Sequence, residues 1–168
     1  MGWFSRKKGP ESPPVSSGPS LELPSEEDVS DEGGVLEPGA TRIGPDEEAR
    51  IARAVRELEA EGVDLDDLTS IGAGYDAAFQ AWVAGNRKGD HAAVVERYAM
   101  GVGEHLDRHT DLDWKIVTDV FGTDLAVAGG FRHDFVVVPT NLVGGRWMRG
   151  DTGWVPEVVG HIVRRRER

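Results

Sequence analysis

Apolar residues recur along this chain with two different periods, and the change of period divides it. Ile51, Val55 and Leu58 repeat at helical spacing behind Gly44, Pro45 and the acids Asp46, Glu47 and Glu48. Proline at a first helical position and acids in a first turn mark a helix start, because that turn's N–H groups lack intrahelical acceptors and its dipole end is positive. Gly62 marks the stop. Leu68, Ile71, Tyr75, Phe79 and Trp82, spaced by three, four, four and three, predict a second helix ending at Gly85-Asn86. Val94, Val95, Tyr98, Val102 and Leu106 predict a third from about Asp90. After Leu112 the pattern shortens: 114–119 and 123–128 are β-rich runs around Val120-Phe121-Gly122, which predicts a hairpin. The continuous apolar run 135–138 reads as a strand buried on both faces or covered by helices, ended by Pro139. Thr140 is expected to cap a short helix through Arg149, and Thr152 with Pro156 to open a last helix carrying Val158, Val159, Ile162 and Val163. Helices, then a small antiparallel sheet, then helices predict an α+β fold in which the N-terminal helices pack on the sheet with the C-terminal ones.

Ahead of this pattern lies a different composition. Residues 1–43 hold six of the nine prolines and seven of the eight serines of the 168-residue chain. Such a stretch buries too little apolar surface to offset chain entropy, so it is expected to be a disordered acidic tail, with one globular domain over 44–168. Trp3 and Phe4 beside Arg6, Lys7 and Lys8 raise contact with an anionic membrane surface as a narrower reading.

Charge and cysteine content then exclude classes. Nineteen Lys and Arg against 30 Asp and Glu give a net charge of −11, which disfavours nucleic acid, since phosphate neutralisation needs a basic face. With no cysteine there is no disulfide framework, thiol nucleophile or Cys-type zinc site. No apolar run approaches the roughly 18 residues of a membrane span, and the basic start is not followed by the apolar region of a signal peptide. A soluble, cytoplasmic protein is the expectation.

Several motifs invite chemistry. Gly72-Ala73-Gly74-Tyr75-Asp76-Ala77 fits the dinucleotide fingerprint, but that motif needs a buried strand before it, and the acidic stretch 64–70 is no strand; close helix approach is the better reading. His105 and His109 share a helix face at a spacing that can serve a metal, yet Leu106 stands where a zincin needs Glu, and no metal or other cofactor is expected. Ser70, the only serine after the tail, lacks the nucleophile elbow of serine hydrolases. The acid pairs Asp66-Asp67 and Asp111 with Asp113 read as solvated carboxylates.

The order of residues from Val94 to Arg166 carries a resemblance: an apolar helix ending near His109, Asp113-Trp114 opening a strand, the run from Asp119 through Gly122 to Val127, the strand at 135–138, then Pro139, Asn141, Val143, Arg146, Gly150 and a final helix. It resembles the bacterial family called domain of unknown function 3806, over somewhat under half the chain. The resemblance implies a small α+β domain and supplies no established activity. In the same stretch Trp114 is large enough to anchor the hairpin on a helix, its indole N–H requiring an acceptor. A ligand or partner site is expected where the hairpin, with Asp124, meets the Pro139-Thr140-Asn141 junction and Arg146, since a helix N-terminus there offers free amides. Without a coherent catalytic set, the expected function is a non-catalytic interaction module of immunity or regulatory type with a protein partner, the acidic tail suiting a basic one. The alternative is a small-molecule binder or enzyme at Asn141 and Arg146.

Overall fold

The structure, a computed structural model, describes residues 39–120, 122–129 and 135–167, all within one compact unit, Val35–Arg168. The expectations for the tail before residue 39, including Trp3 and Phe4, lie outside the described residues, as does Phe121. Along the chain come β1 (Gly39–Arg42), α1 (Pro45–Ala60), α2 (Leu68–Ala84), α3 (His91–His109), β2 (Asp113–Asp119), β3 (Gly122–Gly129), β4 (Phe135–Val137), α4 (Pro139–Arg149) and α5 (Val155–Arg166). The four strands form one antiparallel sheet in the order β1-β2-β3-β4, and the architecture is α+β.

The first three helices begin where a side chain is available to satisfy an amide of the first turn. Glu47 Oε2 reaches back to the Gly44 N–H at 2.9 Å, Asp67 Oδ1 accepts from Thr69 N–H at 2.8 Å, and Asp90 Oδ1 accepts from Ala92 N–H at 3.0 Å, each replacing an acceptor the helix cannot supply. α4 starts with Pro139, whose missing N–H costs nothing at that position. It ends at Gly150, in the left-handed region at φ 74° that suits glycine there.

α3 is the hub. Its middle, from Tyr98 to Gly103, is buried on every side, and it packs against α1, α2, α4, α5 and the sheet. Small residues make those approaches possible. A Cβ on Gly103 would overlap the Trp114 ring, so the indole seats directly on the α3 backbone. A Cβ on Gly72 would come within 3.2 Å of Pro156, and one on Gly74 within 2.9 Å of the Tyr98 hydroxyl. The dinucleotide-like glycines therefore serve close packing of α2 on α5 and α3, as expected. Trp114, 7% exposed, lies opposite Val127 in the β2–β3 register and anchors the sheet to α3.

Three features differ from expectation. Gly39–Arg42, placed by composition in the tail, forms β1 and pairs with β2 from Gly39↔Thr118 to Arg42↔Lys115. Four mostly exposed residues carry no apolar alternation of their own; the open edge of β2 orders them. The run 135–138 is an edge strand and not a doubly buried one: among the described residues β4 pairs only with β3, and Val136 is 41% exposed. Thr140 does not cap α4, whose cap position is Val138. Gly144 and Gly145, which weaken a helix by propensity, lie inside an unbroken α4.

Candidate functional site

The structure does not bring Asn141, Arg146 and Asp124 together. Asn141 is exposed in the first turn of α4. Arg146, five positions on, projects about 140° away around the helix at 100° per residue. Its guanidinium lies 4.6 Å from the Trp154 ring centroid and donates to the Leu142 carbonyl at 3.4 Å. Asp124 pairs in register with Val117, while its neighbours Leu125 and Val127 face the core with Trp114. Strand alternation therefore puts Asp124 on the sheet face turned away from the helices.

The histidine pair is also structural. His105 Nδ1 donates to the Leu65 carbonyl at 2.7 Å, and burial lowers its pKa. His109 Nε2 meets Asp66 Oδ1 at 3.0 Å, a hydrogen bond that holds the Asp66 carboxyl below its usual range. The two rings stack with centroids 4.4 Å apart. Asp66 was read as a solvated acid; it stays exposed, and it is also the hinge pin between the 64–67 loop and the end of α3.

A cleft opens elsewhere, where α1, α3 and α4 meet. Ala92 and Val95 of α3 face Thr140, Gly144, Trp147 and Met148 of α4, all at helical spacing, around a volume of about 310 Å³. It exists because the crossing residues are small: a Cβ on Gly144 would reach only ordinary contact with Val95, 3.6 Å away. Its polar rim is largely engaged internally. Arg50 Nε bonds Glu96 Oε1 at 2.6 Å, and the His91 ring lies on Trp82 at 5.3 Å. Met148 stands at the mouth, 75% exposed.

Behind this cleft lies a cluster of aromatic rings. Tyr75 meets Tyr98, Trp147 and Trp154 edge to face at 5.9, 5.6 and 5.6 Å, and Trp147 also meets Phe79 at 5.1 Å and Trp82 at 5.5 Å. Such offset and T-shaped pairs add to the burial energy of the rings. Burial pushes the Tyr75 hydroxyl pKa up. Among the described residues, the buried indole N–H groups of Trp82 and Trp147 meet no acceptor. Their rings give the cleft a stiff floor.

Periodicity placed Tyr75, Phe79 and Trp82 on a core face and gave no hint that they back a cleft. Trp147 and Met148 escaped sequence reasoning altogether. The available signal was the adjacency of two glycines to a Trp-Met pair one turn later, since removing two side chains beside large ones leaves room in a helix contact.

No curated protein and no solved structure matches the chain. Residues 80–158 match the model of the family described as Domain of unknown function (DUF3806), a span that begins earlier than the sequence pattern indicated and takes in every residue lining the cleft except Arg50. This C-terminal stretch, from the last turn of α2 to the first of α5, is what the chain shares with that family.

Proposed function

We propose that this protein is a non-catalytic, cytoplasmic interaction module that holds an apolar segment of a protein partner in the cleft between α1, α3 and α4. The observation that carries the reading is Met148: a large apolar side chain held in water at the mouth of an apolar cleft. Unbranched and polarisable, methionine adapts to a partner's surface, and exposed apolar patches beside grooves mark interaction sites. The rim supports binding over catalysis, because its one carboxylate among the described lining residues, Glu96, is paired with Arg50. The net charge of −11 favours a partner whose remaining surface is basic, through long-range attraction that speeds encounter.

A photo-crosslinking residue at position 148, introduced into the full chain in its native host, tests this. One partner should be captured through an apolar segment, and Met148→Glu should weaken binding of that purified partner by about tenfold or more, the equivalent of re-exposing one buried methionine. Crosslinking no more specific than from Val83, an exposed apolar position on α2, would refute it.

A further inference from the structure

On the far side of Trp147 and Met148 from the cleft is a second, smaller recess of about 100 Å³. Phe79 and Trp82 of α2, Arg87 of the α2–α3 turn, and Arg149 and Gly150 at the end of α4 complete its wall. Its chemistry is unlike the cleft's. The Arg87 guanidinium stands 5.7 Å from the Trp82 ring centroid, and among the described residues no carboxylate pairs with it. Arg149 uses its Nε on Asp151 Oδ2 at 3.0 Å. Trp82 and Trp147 contribute ring surface, their indole N–H groups being buried. The wall therefore holds a guanidinium, that of Arg87, with no carboxylate partner among the described residues, in a chain that is strongly acidic overall.

The backbone that delivers Arg87 is itself unusual. Asn86 and Arg87 both occupy the left-handed region, at φ 56° and 58°. Asparagine tolerates that conformation; a long side chain such as arginine seldom adopts it. The Arg87 N–H closes on the Trp82 carbonyl at 2.8 Å, so the turn that ends α2 is the one that sets the guanidinium over the ring. Backbone held in sparsely populated conformations clusters at functional sites.

We propose that this recess binds a carboxylate, presented by the same partner whose apolar segment fills the adjoining cleft. Two guanidiniums suit a planar acceptor-only anion, which each can grip with parallel N–H bonds. The negative end of the α4 dipole is a weaker influence. It amounts to about half a charge, and the Trp147 and Arg146 carbonyls there already accept from the Gly150 and Asp151 N–H groups. A carboxylate is favoured over a phosphate because its aliphatic stem can rest on Phe79, Trp82 and Met148. A phosphate would bring further oxygens against those apolar surfaces. Assigning the carboxylate to the partner rests on the docking reading above; the recess itself can be tested without any partner, so either can fail alone.

The test is titration of the full, ¹⁵N-labelled chain with acetate at constant ionic strength, reading the Trp82 indole N–H resonance, assigned with Trp82→Phe. A saturable shift that chloride does not produce is expected. Arg87→Gly should weaken acetate binding by about tenfold or more, the loss of a charged hydrogen-bonding partner. Because glycine suits the left-handed backbone, this variant should keep or raise the melting temperature, which separates lost binding from lost folding. Arg164→Gln, on α5, should bind acetate unchanged. A non-saturating shift, equal binding by Arg87→Gly, or phosphate binding more tightly than acetate would overturn the proposal. Comparing acetyl-Leu-Leu bearing a free C-terminus with acetyl-Leu-Asp-amide then separates a chain end from an acidic side chain as the source.

Discussion

Placing a methyl group on Gly103 should destabilise the protein, although alanine is the better helix former at any ordinary site. The helix preference favours Ala over Gly by about 1 kcal/mol in a helix interior. Against it, the new Cβ would overlap Cζ2 and Cη2 of Trp114 and come within 3.1 Å of Pro139 Cγ. Forcing extra volume into a packed core costs about 1–3 kcal/mol. Trp114 cannot simply swing away, since its backbone N–H is tied to Asp107 at 3.2 Å and its indole N–H faces Glu104 Oε2 at 3.4 Å. Gly103→Ala should therefore lose up to about 2 kcal/mol net in urea denaturation.

The decisive comparison is the same substitution in a background where the far edge of the indole is gone. Trp114→Ala alone should cost about 3–5 kcal/mol, the range for deleting a buried aromatic, which is a large part of the roughly 5–15 kcal/mol a domain holds. Trp114→Leu is the safer background, because leucine lacks the two overlapping atoms yet still fills part of the space. There Gly103→Ala should become neutral or stabilising by up to about 1 kcal/mol, a coupling of about 2 kcal/mol between residues in direct contact. If Gly103→Ala raises the urea midpoint in the wild-type chain, or has the same effect in both backgrounds, the indole does not sit on α3 and the account of how the sheet is fixed to the helices is wrong.

Arg146→Ala should cost about 0.5–2 kcal/mol, the worth of its stacking on Trp154, because the arginine makes no ion pair among the described residues; a loss above about 3 kcal/mol would instead indicate a buried ion pair. Burial holds the His105 pKa below its unfolded value of about 6.5, so the unfolded chain takes up the proton first: stability should be full above about pH 6.5 and fall as the pH drops through it toward the folded pKa. His105→Gln, which keeps a donor for the Leu65 carbonyl, should flatten the pH dependence between about pH 7 and 5, and an unchanged slope would show that other groups cause it. Asp66 acts mainly in a lower window, since its carboxyl is held below the usual range by His109 and its contribution is lost as the pH falls through that lowered value; Asp66→Asn should alter chiefly the acid limb, with a smaller effect through His105, whose pKa the Asp66 charge raises. A chain starting at Val35 should be more stable than one starting at Gly44 by about 1–3 kcal/mol, the net worth of a few strand hydrogen bonds, whereas equal urea midpoints would mean that β1 adds nothing to the sheet.

What the sequence made legible follows the range of the forces involved. α1, α2 and α3 could be placed to within a residue or so because their signals are local: Pro45 with its acids, Gly62 and Gly85 as stops, and apolar residues at a period only a helix uses; the pattern does not single out Asp67 and Asp90 as caps. The β2–β3 hairpin was legible for the same reason. β1 was not, because Gly39–Arg42 becomes a strand through what lies beside it, the unpaired edge of β2, some seventy residues further along the chain. β4 differs in the opposite direction: the apolar run suggests burial on both faces, but Val136 is 41% exposed, because sheet order, which no local window contains, puts the strand at the edge of the described sheet. The expected site failed by geometry of the same kind. Asn141 and Arg146 are close in sequence and diverge around one helix, and Asp124 sits across a sheet from both. Conversely, Ala92, Val95, Gly144, Trp147 and Met148 form a cleft only once α3 and α4 cross, and Arg87 becomes notable only once its φ is known. A glycine pair inside a helix is ambiguous in one dimension: it can weaken the helix or make room beside it. Packing of Gly144 against Val95 decides for room, and the cleft on α4 shares Thr140 with the expected junction and lies on the side of Asn141 and Met148, seven positions apart, while Arg146 projects elsewhere.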